Sequence, residues 1–258
     1  MTFRRAATTA AVGTALCYVI LVASLGPLVR PTEVMKHLCS LRVLYATGLS
    51  ALAATLAVLL ALPLAILGGY ALSRVDFKGK RLVDTILDLP LVVSPAALGA
   101  MLLIFFSHPV GAWIQEHSVN FVFAFWGVVL AQFMTIAGLA TRGMKAAFDG
   151  IPPRIEYVGR SLGASPWQAF RTVTLPMASR GIQVTSLLAW AKALGEFGAT
   201  ITLAGTMSMR TETLPVAIYM RLASADLEGA AALILLLMGL GLIALGCIRR
   251  LASETTHA

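Results

Sequence analysis

Apolar residues run through this chain in long stretches that charge interrupts only at intervals. Residues 6–29, 43–73, 89–115, 118–141 and 229–248 each contain no Asp, Glu, Lys or Arg. About 20 apolar helical residues cross the hydrocarbon core of a bilayer, so each run holds one spanning helix. A sixth apolar stretch, Gly181 to Ala204, is interrupted only by Lys192 and Glu196. Counting it predicts six spans, at about 11–29, 47–72, 84–106, 119–140, 182–204 and 229–248, in a single transmembrane domain covering 1–258. The expected fold class is an all-α membrane protein. No repeat of fixed period and no low-complexity tract breaks this organisation.

Local signals refine the spans. The second contains Pro63 and the pair Gly68-Gly69. Asp84 and Asp88 fall in the expected first turns of the third, where negative charge complements the helix dipole. Pro90 and Pro95 follow, and two prolines five apart bend or break a helix. At membrane depth a break survives only where protein or water satisfies the freed backbone groups. The kink therefore either lines a pathway or serves packing. In the fifth span, Lys192 and Glu196 stand four apart on one helix face, flanked by Gly195 and Gly198. Ionisable groups inside a membrane face a bundle interior or a wet path. The pair reads as part of a path or gate, with a packing role as the alternative.

The polar, basic segment 142–181 separates spans four and five. Ser165 and Gln168 form a capping box around Pro166 at the first helical position. Gly163 just ahead can turn the chain with positive φ, and Pro176 is expected to stop the helix that follows. Two short helices around a glycine elbow, held at a membrane surface, suit docking better than chemistry.

Composition agrees with a polytopic protein: 58% of the residues are hydrophobic and 12% charged, against about 25% charged in soluble domains. The net charge of +8 would suit nucleic acid, but its placement argues otherwise. Arg4, Arg5, four basic residues in 74–81, six in 142–180, Arg249 and Arg250 fall on one side of the spans. Arg30, Lys36, Arg42, Arg210 and Arg221 fall on the other. The positive-inside rule puts the richer side, and with it both termini, in the cytoplasm. Arg4 and Arg5 ahead of the first run resemble a signal peptide, but the run exceeds the usual length of that apolar region and is read as a retained span.

Catalytic constellations are missing. The loop sequence Gly79-Lys80 has Arg74 where a phosphate-binding loop needs glycine. No zinc-protease motif or nucleophile elbow appears. Cys17, Cys39 and Cys247 match no disulfide or metal spacing, and the four histidines form no ligand pattern. Neither a metal site nor a cofactor is expected in this chain.

The segment ending GASPWQAFRTVTLP resembles the cytoplasmic signature loop of ABC importer permeases, in which Gly is followed after nine residues by Ile-x-Leu-Pro. Gly163 is followed at that spacing by Val173, Thr174, Leu175 and Pro176. The first half departs: Tyr157, Val158 and Gly159 stand where the family has Glu-Ala-Ala, with Glu156 one position early. LPLAILGGYALSRVDFKGKRLVDTILDLPLVVSP is similar to the molybdate and sulfate permeases, and ALGEFGATITLAG followed by RTETLPVAIY is similar to the molybdate branch.

The resemblance implies a type I importer permease fold of six helices, paired as a homodimer in a prokaryotic cytoplasmic membrane. It implies cytoplasmic ATPase subunits that carry ATP and Mg, and an extracytoplasmic oxyanion-binding protein. The residues it assigns to ATPase coupling are Glu156, Tyr157, Gly163, Ala164, Ser165, Pro166, Trp167, Leu175 and Pro176. Lys192, Glu196, Gly195, Gly198 and Pro95 are the candidates for path or gate; Arg210 and Arg221 read either as attracting the anion or its carrier or as ordinary solvated loop charges. Tungstate and sulfate or thiosulfate remain alternative cargoes. An ion-coupled secondary transporter would carry inverted repeats, an intramembrane enzyme a nucleophile or metal constellation, and neither is seen. A purely structural subunit leaves the capped loop unexplained.

Overall fold

The computed structural model describes residues 2–28 and 40–253. Those residues form helices joined by short turns, with no strand among them. The expected end of the first span at Val29, and Cys39, lie outside the described residues.

Helix α1 (Thr2–Ala23) starts nine residues ahead of the expected boundary. Its described side chains are exposed almost throughout, and a single 3₁₀ turn (Gly26–Leu28) follows. Helix α2 (Leu41–Arg74) is longer than the segment 47–72 and passes Pro63 without a break. Ser40 caps it by accepting a hydrogen bond from the Val43 amide. Ala53, Ala57, Ala61, Ala65 and Gly69 recur four apart and are buried. Small residues at that spacing let helices approach closely without hydrophobic driving force from the surrounding lipid. A Cβ on Gly69 would stand 2.6 Å from Met144 Cβ. Leu44, Leu52, Leu59, Leu60, Leu64 and Leu67 cover the opposite, exposed face.

The expected third span, 84–106, is not one helix. It comprises α3 (Lys80–Ile86), α4 (Leu89–Val92) and α5 (Pro95–Ser107), with a turn of 111° between Val92 and Pro95. Ser94 caps α5 and Pro95 opens it, so the second proline marks the break. Asp84 lies near the end of α3 and Asp88 at the start of α4. Asp84 does not lie in a first turn, so the dipole role expected of it does not hold, whereas Asp88 at the head of α4 is placed for it; both also face cations on another helix. Arg142 contacts Asp88 and approaches Asp84, and Lys145 Nζ stands 3.2 Å from Asp84 Oδ2.

After α6 (Pro109–His117), residues 119–124 turn instead of spanning, with Phe123 at φ 53°. The third long helix, α7, is Phe125–Asp149. The expected span 119–140 is thus displaced along the chain, and Arg142 and Lys145 belong to the helix, not to the loop. Helix α8 (Pro153–Ser161), the elbow, α9 (Pro166–Ala169), a π-helical turn (Phe170–Thr174) and α10 (Leu175–Leu194) follow.

Pro176 does not stop a helix. It sits in the first turn of α10, and the chain is helical without interruption from Pro166 to Leu194. A proline inside a helix lacks a donor and clashes with the carbonyl four residues back. The π turn ahead of it, in which the Leu175 amide reaches back five residues to Phe170 O, changes the register and makes room.

The expected span 182–204 is also broken. Helix α10 ends at Leu194 and α11 is Gly198–Ala204. A short helix α12 (Leu214–Ala223) and the long α13 (Leu227–Ser253) complete the chain. Helices α2, α7 and α10 pack together as the core, α11 packs against α5 and α7, and α12 lies between α2 and α13. Among the described residues four helices, α1, α2, α7 and α13, are long and apolar enough to cross a membrane, and the bent α3–α5 unit makes a fifth. The expected span 182–204 falls on the interrupted α10–α11, which is not among these five.

Candidate functional site

Two places in this bundle combine buried charge with unusual backbone. The first is the elbow. Gly163 adopts φ 96°, a conformation that a side chain strains. Ser165 follows with both halves of its capping box formed: its Oγ accepts from the Gln168 amide at 3.2 Å, and its own amide donates to Gln168 Oε1 at 2.8 Å. Pro166 opens the helix, as the sequence predicts.

The elbow is anchored through Glu156, which is buried. Tyr70 Oη of α2 donates to its Oε1 at 2.5 Å, and Thr174 Oγ1 of the π turn donates to Oε2 at 3.0 Å. Arg74 Nε stands 4.0 Å from Oε2. Arg74 also donates from Nη2 to Phe148 O and Ile151 O, which closes the carbonyl end of α7. Tyr70 packs edge-on to Phe148 and Phe170, with ring centroids 5.7 and 4.7 Å apart. One carboxylate therefore ties α8 to α2 and to the foot of α10, while Arg74 ties the same point to α7.

Around this anchor, Tyr157, Val158, Leu162 and Trp167 are exposed, Leu162 at 85%. Ala164 lies within the bend and Leu175 begins α10. The elbow thus carries a cluster of large exposed apolar side chains on an otherwise polar segment.

The second place is where the two breaks meet. A Cβ on Gly198 would stand 2.9 Å from Ala96 N and 3.1 Å from Pro95 Cβ, so the start of α11 abuts the start of α5. Gly195 is the residue at which α10 ends. Glu196 is 1% exposed and lies between the helices, not on a continuous helical face as expected. Its Oε1 accepts from the Ala199 amide at 3.1 Å, and its Oε2 is 3.5 Å from Lys192 Nζ. The carboxylate satisfies an amide at the head of one helix, and the ammonium sits in the last turn of the other, where the carbonyl dipole favours it. The sequence candidates Pro95, Lys192, Gly195, Glu196 and Gly198 thus lie in one region.

A cavity of about 420 Å³ lies in the bend of α3–α5, lined by residues such as Leu87, Pro90, Val93, Met101, Phe105 and Met134. Its walls are apolar and offer no charge to an anion. At the other end of the bundle, Arg42 at the start of α2 grips the buried Glu212 with two hydrogen bonds, 2.8 and 2.6 Å. Arg221 is paired with Asp226 at 2.5 Å. Among the described residues no three His, Cys, Asp or Glu side chains gather to hold a metal.

Sequence reasoning missed the partners in these arrangements: Tyr70, Arg74 and Thr174 around Glu156, and the Arg42–Glu212 pair. The spacing of Tyr70 and Arg74, four apart at a span end, was the available signal.

The permease protein ModB of the molybdenum transport system of Escherichia coli K12 is 37% identical over 204 residues, covering 76% of this chain and 88% of that protein. The sulfate transport system permease protein CysW of the same strain is 32% identical, over 72% of this chain and 64% of that one. In fold, the chain matches a chain in the crystal structure of a bacterial alginate ABC transporter in complex with alginate pentasaccharide-bound periplasmic protein, with a TM-score of 0.75 at 18% identity over 98% of both chains. Residues 57–256 match the family described as the binding-protein-dependent transport system inner membrane component, and the chain belongs to that family.

Proposed function

We propose that this chain is the membrane-spanning permease of an ATP-driven importer and that its cargo is an oxyanion, molybdate. The observation that carries the reading is the elbow: an exposed apolar cluster on a segment bolted by Glu156 and Arg74 to three core helices. Such a surface suits a groove in a separate ATPase subunit, which supplies the ATP and Mg chemistry for which this chain has no residues. Movement of that subunit displaces the elbow. The Glu156 contacts then pass the displacement to α2, α7 and α10 together. The elbow and both termini face the cytoplasm in this reading, as the distribution of basic residues requires. An extracytoplasmic binding protein docks at the end that carries Arg42 and Glu212. Two copies of the chain enclose one path, and the break at Pro95, Gly195, Glu196 and Gly198 is the part of each copy that changes shape. Molybdate is favoured by the 37% identity to a molybdenum permease over most of both chains. Calorimetry on the cognate binding protein separates it from tungstate and sulfate. Micromolar or tighter binding of molybdate supports the assignment, and preference for sulfate reassigns the cargo.

The elbow is tested by Gly163→Val. At φ 96° a β-branched residue costs about 1–3 kcal/mol locally, and no neighbour lies within 4 Å to clash. The variant is expected to insert normally and to lose at least about 90% of uptake, because a 1.4 kcal/mol distortion is already tenfold in a docking equilibrium. Normal uptake refutes the elbow's role.

A further inference from the structure

Among the described residues, the end of the bundle away from the elbow holds a cation with no carboxylate beside it. Arg42 is committed to Glu212 and Arg221 to Asp226. Arg210 has no carboxylate partner among the described residues, and it is exposed. Its position is fixed. Met207 O accepts from the amides of Arg210, Thr211 and Glu212 at 3.0–3.1 Å, and the Met207 amide donates to Thr211 Oγ1 at 3.2 Å. Met209 is held at φ 59°, a left-handed conformation that a non-glycine residue adopts at a cost and keeps only where its surroundings enforce it. The residues that enforce it are buried: Thr211, Glu212 and Thr213 are 1% exposed or less. Glu212 is gripped by Arg42, and the Leu214 amide donates to Ser50 Oγ of α2 at 2.7 Å. A strained, pinned turn thus presents one guanidinium.

That guanidinium lines a cavity of about 440 Å³ whose other walls are Tyr45, Gly48, Leu49 and Leu52 of α2 and Phe125 of α7. Tyr45 lies 25 residues, or about 37 Å of helix rise, from Tyr70 at the elbow. A tetrahedral oxyanion fits easily in this space. Among the described residues Arg210 is the one charge in the lining, and the other walls set no competing charge against an anion. The planar fork of arginine matches two oxygens of an oxyanion at once.

We propose that Arg210 and this cavity form a transient receiving site for the tetrahedral dianion as it leaves the binding protein. The proposal rests on the importer reading above and names a residue that handles the cargo within it. One guanidinium leaves the anion partly hydrated, so the hold is weak. A weak hold is what passage requires, since a deep well would slow release. Without it, an anion released at the mouth diffuses away before the path turns inward, and ATP is spent without import.

The test uses the complete transporter, permease with ATPase subunits and molybdate-loaded binding protein, in proteoliposomes. Three quantities are read: molybdate imported, ATP hydrolysed, and the concentration of loaded binding protein giving half-maximal hydrolysis. Arg210→Gln is expected to lower the molybdate imported per ATP about tenfold, the loss of one charge-assisted pair, with the half-maximal concentration unchanged. Arg210→Lys is expected to fall between the two. An unchanged ratio in R210Q overturns the proposal. So does an unchanged ratio with a raised half-maximal concentration, which makes Arg210 a docking contact for the binding protein. If the wild-type complex shows no hydrolysis stimulated by loaded binding protein, the importer reading itself fails and the site falls with it.

Discussion

Replacing Glu156 with leucine is expected to uncouple the elbow from the bundle and to destabilise that end of the protein. The substitution leaves the Tyr70 hydroxyl and the Arg74 guanidinium beside an apolar group in a buried position. Removing one partner of a buried, hydrogen-bonded charge costs about 3 kcal/mol, because the remaining polar groups lose water and gain nothing. Thr174 also loses its acceptor, which loosens the π turn where α10 begins. Uptake is expected to fall at least tenfold, and the purified variant to unfold at a lower temperature. Glu156→Gln retains an acceptor for Tyr70 and is expected to cost only about 1 kcal/mol. Thermal unfolding of the detergent-solubilised protein, together with uptake in cells, reads both effects. Wild-type behaviour of the leucine variant in both assays contradicts the anchoring argument.

The second large effect is expected at Glu196. Its Oε1 is the acceptor for the Ala199 amide at the head of α11, and its Oε2 faces Lys192. Glu196→Leu removes a helix cap, a loss of about 1 kcal/mol, and leaves Lys192 without its partner. The side chain that replaces it is apolar and similar in size, so burial offsets part of the loss and the protein is expected to fold. Transport is expected to fall about tenfold or more, since the junction of α5 and α11 is the broken backbone available to rearrange. Glu196→Gln keeps the acceptor and is expected to retain most of the rate. Unchanged uptake kinetics in the leucine variant reduce the pair to a packing role.

Features set by neighbours in sequence were readable from sequence. The glycine elbow, the Ser165 capping box and Pro166 at the helix start depend on residues within three or four positions of one another, and the structure has all of them. The break at Pro95 was visible for the same reason, but the interruption between Leu194 and Gly198 was not, because Lys192 and Glu196 four apart read as one continuous helical face. Helix ends were less legible. The run 118–124 is apolar enough to read as span, yet the chain turns there at Phe123 and α7 takes its length from the basic side. Arg142 and Lys145 read as loop charges because their carboxylate partners, Asp84 and Asp88, stand more than fifty residues away. Pro176 misled because a proline's effect depends on the register of the preceding turn, and the π turn at Phe170–Thr174 has no sequence mark of its own. Of the Glu156 hub only the four-residue spacing of Tyr70 and Arg74 was legible: the hub joins Tyr70, Arg74 and Thr174 only after α2, α8 and α10 have packed.

In the proposed reading a separate ATPase grips this chain through the elbow. Trp167 is exposed there and makes a ring contact only with Phe170, so a photo-activatable benzophenone amino acid can replace it with little disturbance. Illumination of intact cells carrying that variant is predicted to join the permease covalently to a nucleotide-binding subunit, and the adduct is expected to disappear when Gly163 is valine. Cells that import normally and yield adducts to lipid alone, with none to an ATPase, would contradict the account.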